Sequence, residues 1–160
     1  MQFFPGRGNE TVAETVSESD SPVVNQQFTF AVHILTALAF ANETMDSQEL
    51  ATSVNTNPVV IRRILLGLRR AGLVETRTGK NGGARLGKKP AEISLLEIYD
   101  AVQRRPVIAV SERKAFKRCQ VSCSMREIMC GVAAGAERAV REHLRGLTLQ
   151  KLLRKVPRAA

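Results

Sequence analysis

The chain has no tryptophan and a single tyrosine, and aromatic residues make up 4% of its 160 positions. Surfaces that hold single-stranded nucleic acid stack bases on aromatic rings, so such a surface has too little to build with here. Cysteines number three, an odd count that speaks against a secreted disulfide framework. No apolar run is long enough to cross a bilayer. The longest, Phe28 to Ala41, has 14 residues with His33 and two threonines inside it, and it reads as a buried helix. Residues 1–24 lack a basic start followed by an apolar stretch, so no secretory leader is legible and a cytoplasmic protein is expected. No His or carboxylate stands in a recognisable nucleophile motif, so catalysis is not expected either.

What is present is aliphatic and basic. The hydrophobic fraction of 44% is enough for a real core, and 24 Lys and Arg against 15 Asp and Glu give a net charge of +9. The charge is uneven. Residues 1–24 hold Glu10, Glu14, Glu18 and Asp20 against Arg7 alone. They are expected to form an acidic, mobile extension. Residues 58–89 hold nine basic side chains and one acid, Glu75. A concentrated basic excess predicts a polyanionic partner met through its phosphates.

The apolar periodicity predicts six helices and a hairpin. Phe28, Val32, Leu35, Leu38 and Ala39 share one face of a first helix. Ser47 is placed to cap a second, with Leu50, Ala51 and Val54 inward. Asn57 caps and Pro58 opens a third, whose stripe is Ile61, Ile64, Leu65 and Leu68. Gly72 stops it, and Gly67 within it implies close packing. Residues 73–78 alternate like a strand, Gly79-Lys80-Asn81-Gly82-Gly83 turns, and Ala84-Arg85-Leu86 returns. Ser94 with Glu97 forms a capping box for a fourth helix. Residues 104–123 read as a basic loop with cysteines. A long helix is expected from Ser124 to Arg145, about 33 Å at 1.5 Å per residue. Its stripe includes Met125, Ile128, Met129, Val132, Ala136, Val140 and Leu144. Nothing downstream is large enough to cover it within one chain. Thr148 opens a last short helix.

Helix, short helix, tight turn, basic helix and Gly-rich hairpin in this order predict a mainly α winged helix-turn-helix with a β-hairpin wing, spanning residues 25–103. The dimerisation helix and C-terminal short helix occupy residues 124–160. The third helix is the candidate reader of a major groove. Val59 and Val60 are placed for thymine methyls, and Arg62 and Arg63 for guanine edges or phosphate. Asn57, with Ser47 and Gln48 at the start of the second helix, completes this surface. Arg77, Lys80 and Asn81 at the hairpin tip are placed for the flanking groove. These features predict a DNA-binding regulator, probed against the rival of a dimeric protein-interaction module by the steep salt dependence that only phosphate contacts give.

The stretch PVVIRRILLGLRRAGLVETRTGKNGGARLGKKPAEISLLEIYDAV resembles the core of the Rrf-two family of bacterial winged-helix transcriptional regulators, and the likeness runs over about residues 25–156. It is most specific at Leu68-Arg69-Arg70-Ala71-Gly72-Leu73-Val74, at Gly79-x-x-Gly82-Gly83 and at Ile93-Ser94-Leu95-Leu96-Glu97-Ile98. The resemblance implies a homodimer built on the long helix, a palindromic double-stranded DNA operator, most often repression, and an effector site where members often keep three cysteines for an iron–sulfur cluster. Two wing positions depart from the family pattern. Thr78 stands where an arginine is common and Ala84 where an aromatic is usual, which shifts the wing contact to Arg77 or Lys80.

The cysteines support three readings. Cys119, Cys123 and Cys130 are the candidate cluster ligands, with His33, His143 or a carboxylate as a fourth. Three residues separate the first pair and six the second, whereas cluster-binding relatives space theirs nearly evenly. On one helix the sulfurs of Cys123 and Cys130 would lie roughly 10 Å apart. A thiol redox switch is the second reading: Lys117, Arg118 and Arg126 flank Cys119 and Cys123, and basic surroundings favour reactive thiols. In the third, the cysteines sense nothing and Cys130 is a small hydrophobe. His33 reads as structural and His143 as solvated.

Overall fold

The structure is a computed structural model, and it describes residues 26–77, 79, 82–103 and 105–157. In chain order these form α1 (Gln27–Ala41), α2 (Ser47–Val54), α3 (Pro58–Arg70), β1 (Val74–Arg77), β2 (Gly83–Leu86), α4 (Leu95–Val102), α5 (Gln120–Arg145) and α6 (Leu149–Leu153). A 3-10 turn at Pro90–Glu92 precedes α4. This is the mainly α architecture with a hairpin wing that the periodicity predicts. The acidic segment 1–24 lies outside the described residues.

α1 is the central element, packed against α2, α3, α4 and α6. It buries Ala31, Ile34, Leu35 and Leu38. The expected face shared only Leu35 and Leu38 with this set; Phe28, Val32 and Ala39 lie at the core edge. The helix is apolar nearly all round, so periodicity alone cannot choose its face. His33 reaches across to α2, its Nε2 lying 3.1 Å from Ser53 Oγ.

α2 begins differently from expectation. Its cap is Asp46, not Ser47. Asp46 Oδ1 accepts the N–H of Gln48 at 2.7 Å and of Glu49 at 2.9 Å, and Glu49 returns to the Asp46 N–H at 2.7 Å. A carboxylate satisfies these orphan donors better than a hydroxyl and also faces the positive end of the helix dipole. Asn55, in the left-handed region at φ 57, turns the chain from α2 into α3. Asn57 Oδ1 then caps α3 through the Val59 N–H at 2.8 Å, with Pro58 in the first turn.

α3 buries Ile61, Ile64, Leu65 and Leu68, the full predicted stripe. A Cβ at Gly67 would stand 2.8 Å from the Ala101 carbonyl oxygen, so α3 and α4 touch through bare backbone. Gly72, at φ 70, lets the chain leave α3 and enter β1. β1 and β2 pair antiparallel, with Glu75 opposite Arg85. Ala84 is buried and exchanges both backbone hydrogen bonds with Met45, at 3.0 and 2.8 Å, which ties the wing to the segment before α2.

Ser94 and Glu97 make the predicted capping box on α4. Burial would raise the Glu97 carboxyl, but hydrogen bonds from Ser94 and the Lys88 ammonium at 2.9 Å outweigh it and hold the group below its usual range. α6 docks back onto this region: the Leu149 N–H donates to the Ile93 carbonyl, and the Leu95 N–H to that of Leu147, both at 2.9 Å.

The long helix starts earlier than expected, at Gln120 rather than near Ser124. Its 26 residues extend about 39 Å. Cys119 Sγ accepts the Ser122 N–H at 3.4 Å, and Ser122 Oγ accepts the Phe116 N–H at 2.9 Å. Ser124, the more conventional cap, sits one turn inside. Within this chain α5 packs chiefly on α4 and buries only Leu144 fully.

Candidate nucleic-acid interface

The face of α3 opposite its buried stripe carries Val59, Arg62, Arg63, Leu66, Arg69 and Arg70, all exposed. Val59 is 56% exposed at the first turn, whereas Val60 is half-buried against the core, so of the two valines only Val59 is presented. Arg62 Nε donates to Ser47 Oγ at 3.4 Å, a contact that fastens the start of α3 to the start of α2. Gln48 is exposed beside it, and with Asp46 occupying the first amides of α2, the Ser47 and Gln48 side chains are what this helix end offers. Asn57 keeps its side-chain oxygen on the Val59 N–H. The structure therefore brings Ser47, Gln48, Asn57, Val59 and Arg62 together at one edge, with Arg63 on the same helix.

Further along, Arg69 Nη1 donates to Thr76 Oγ1 at 3.3 Å and joins the helix to the wing. Arg77 ends β1 exposed. Lys80 and Asn81, the expected wing tip, lie outside the described residues. Arg85 is held by Glu75 at 2.9 and 2.6 Å, and Lys88 by Glu97. The basic excess of residues 58–89 is thus sorted. Arg63 and Arg70 on α3 and Arg77 at the end of β1 have no carboxylate partner among the described residues, and exposed, unpaired guanidinium groups are suited to phosphate contact.

Some participants were not foreseen. Asp46-x-x-Glu49 carries the acid-first form of the capping signature and was legible. Glu75 and Arg85 face each other across the hairpin, an opposite-charge cross-strand pair. A third group had no sequence signal. Tyr99 Oη donates to Glu137 across 38 residues, the Val107 N–H donates to Glu137 Oε2 at 3.3 Å, and Arg141 forks onto Asp100 at 2.6 and 2.9 Å. These contacts lock α4, the loop and α5 together. The Asp100 carboxylate also raises the Arg141 guanidinium further above its already high range.

The three cysteines do not converge. Cys119 caps α5, while Cys123 and Cys130 are both inside it. Seven residues on a continuous helix separate the last two sulfurs by roughly 10 Å. No three His, Cys, Asp or Glu side chains among the described residues could hold a metal ion together. The set does not fit an iron–sulfur cluster within one chain. His143 is exposed near the end of α5 and His33 is engaged with Ser53, so neither joins the thiols. Cys119 and Cys123, by contrast, are adjacent turns of one helix start, and the Cys123 N–H donates to the Cys119 carbonyl at 3.0 Å.

Short helix, turn, reader helix and hairpin wing, with free guanidinium groups along the outer edge, define a winged helix-turn-helix DNA-binding protein. Residues 24–155 match the Rrf2 family, described as an iron-dependent transcriptional regulator, and the chain belongs to that family. It is 33% identical over 131 residues to YwnA of Bacillus subtilis (strain 168), named as an HTH-type transcriptional regulator, covering 82% of this chain and 97% of that one. A transcriptional regulator from Lactobacillus plantarum shares the fold with a TM-score of 0.67 and 28% identity over 79% of this chain and 87% of that one. CymR, the global cysteine regulator of B. subtilis, has a TM-score of 0.58 at 21% identity over 84% and 98% of the two chains, which shows the common fold alone. No helix among the described residues is long and apolar enough to cross a membrane.

Proposed function

We propose that this regulator is a homodimeric repressor that binds a palindromic operator in the cytoplasm, dimerises through α5, and loses operator affinity when Cys119 and Cys123 are oxidised. The observation that carries the dimer is the outer stripe of α5. Ile128 and Val132, beyond the part of α5 that the loop arches over, are 56% and 50% exposed one turn apart on the same face. Nothing lies within 4 Å of the Cβ positions at Gly131 and Gly135, so a second helix can approach closely there. Apolar area of this extent in water is unfavourable by about 25 cal/mol for each Å² left uncovered. An isologous pair of such helices covers it and places two reader helices at a fixed spacing, the arrangement a palindrome matches.

Oxidation would act at the root of that helix. Cys119 is the extended cap residue of α5 and Cys123 lies in its first turn, and a disulfide needs their Cβ atoms about 3.5–4.5 Å apart. A hydroperoxide would convert one thiolate to a sulfenic acid with release of the alcohol. The second thiol would then displace water to form the disulfide. Bonding the Cys119 sulfur to Cys123 takes it from the Ser122 N–H that it caps and so distorts the first turn of α5, next to the loop that holds Glu137.

The test of the dimer is Val132→Asp. Sedimentation at micromolar concentration should show wild type as a dimer and the variant as a folded monomer, with operator affinity reduced at least tenfold. A variant that stays dimeric, or a monomeric wild type, contradicts the proposal.

A further inference from the structure

The loop between α4 and α5 is strapped to α5 at both ends. The Val107 N–H holds Glu137 at one end, and the Phe116 N–H holds Ser122 at the other, at 3.3 and 2.9 Å. Between these straps residues 109–115 arch over the first turns of α5 without touching down as helix or strand. The space beneath is a cavity of about 520 Å³. That volume falls within the range of about 300–1,000 Å³ typical of small-molecule sites.

Its lining has a marked chemistry. Val110, Val121, Met125 and Met129 form an apolar floor. Arg113, Lys114 and Arg126 stand around it, and no carboxylate is among the lining residues. The cavity also lies at the start of a 26-residue helix, whose N-terminal dipole favours negative charge. A nucleic-acid backbone would use the cations and leave the apolar floor idle. An apolar segment of another protein would use the floor and leave three cations uncompensated. A ligand that satisfies both is small, has an apolar body and carries one acid group.

We propose that this cavity binds a small organic anion, its carboxylate or sulfonate held by Arg113, Lys114 and Arg126 and its apolar body laid on the methionines. Methionine suits a floor that accommodates more than one hydrocarbon shape, because its thioether chain is unbranched and adaptable. Cys119 is part of the same lining. A bound anion therefore covers the thiol, and occupancy of the site and oxidation of Cys119 exclude one another. The site also connects to the reader. The loop strap ends on Glu137, Glu137 receives the Tyr99 hydroxyl from α4, and α4 meets α3 at Gly67. The consequence for operator affinity rests on the regulator reading above; binding itself does not.

Calorimetric titration of the full chain with decanoate, in the absence of DNA, tests the proposal. Saturable binding at one site per protomer is expected, with decyltrimethylammonium, of the same tail and opposite charge, at least tenfold weaker. The double charge reversal R113E/K114E should weaken decanoate at least tenfold, and A115W, which fills the cavity from the loop, should do the same. Decanoate should also slow the alkylation of Cys119 by iodoacetamide, followed by mass spectrometry, and leave that of Cys130 unchanged. Equal affinity for the cationic analogue, binding at many sites per chain, or undiminished binding by both folded variants overturns the proposal. Because no DNA is present, failure here leaves the DNA-binding reading standing, and loss of operator binding leaves the cavity standing.

Discussion

Tyr99 on α4 donates its hydroxyl to both carboxylate oxygens of Glu137 on α5, at 3.1 and 3.2 Å, and so joins the DNA-binding head to the long helix. Glu137 also receives the backbone N–H of Val107. One carboxylate is therefore common to the head, the loop and α5. Tyr99 is 5% exposed and sits edge-on to Phe28, with ring centroids 5.7 Å apart.

This junction has a pH signature. Burial first, then the hydrogen bond and negative charge of Glu137, raise the Tyr99 phenol above its usual value of 10.0. The fold favours the neutral phenol. The stability it contributes is present below the unfolded value near 10 and is lost as pH rises through the higher folded value. Tyr99 is the only tyrosine in the chain, so near-ultraviolet absorbance of tyrosinate reports it alone. The native protein should titrate above free tyrosine. Glu137→Gln should move the midpoint down toward the ordinary value while burial keeps it raised. A native midpoint equal to that of the unfolded chain contradicts the junction.

Gly67 sets the spacing between the reader helix and α4. Alanine there would gain about 1 kcal/mol in helix propensity. It would also press a methyl group to 2.8 Å from a backbone carbonyl that cannot rotate away. Overpacking of this kind costs about 1–3 kcal/mol, so the clash outweighs the propensity. Gly67→Ala should lower the denaturation midpoint and weaken DNA binding by displacing α3. A stabilised variant with unchanged DNA affinity would show that the two helices do not touch through backbone.

Much of the head is legible in the sequence, for identifiable reasons. The α3 stripe, the Asn57-Pro58 entry, the Ser94–Glu97 box and the hairpin all rest on local rules of periodicity, capping and turn chemistry. What local rules cannot decide is where the reading falls short. α1 is apolar on most sides, and only its neighbours select Ala31 and Ile34 over Phe28 and Val32. Asp46 and Ser47 are both cap formers, and the position of Glu49 decides between them. The early start of α5 depends on a sulfur cap and on Phe116, neither a usual helix signal. The Glu137 junction and the cavity under the loop join residues far apart in the chain, so no spacing announces them.

The cysteines make a separate prediction. If Cys119 and Cys123 form the switch, hydroperoxide should lower operator affinity of the wild type at least tenfold and leave C119S and C123S unaffected. Dithiothreitol should restore it. Cys130 lies about two turns along α5 from Cys123, too far to replace it, so C130S should respond like wild type. A response to oxidant that survives both C119S and C123S removes this pair from the mechanism.

The central claim is that α3 and the wing read DNA as the outer surface of the fold. The direct measurement is fluorescence anisotropy with a duplex selected from a random pool, repeated over a salt series for wild type and for R62A/R63A. Wild-type affinity should fall steeply with salt, with log K losing about 0.9 per log unit of salt for each phosphate contact. The double variant should bind at least tenfold more weakly, with a shallower slope if the lost contacts are to phosphate and relaxed sequence preference if they are to bases. No binding to any duplex at low salt, or an unchanged affinity and slope in R62A/R63A, would contradict the account.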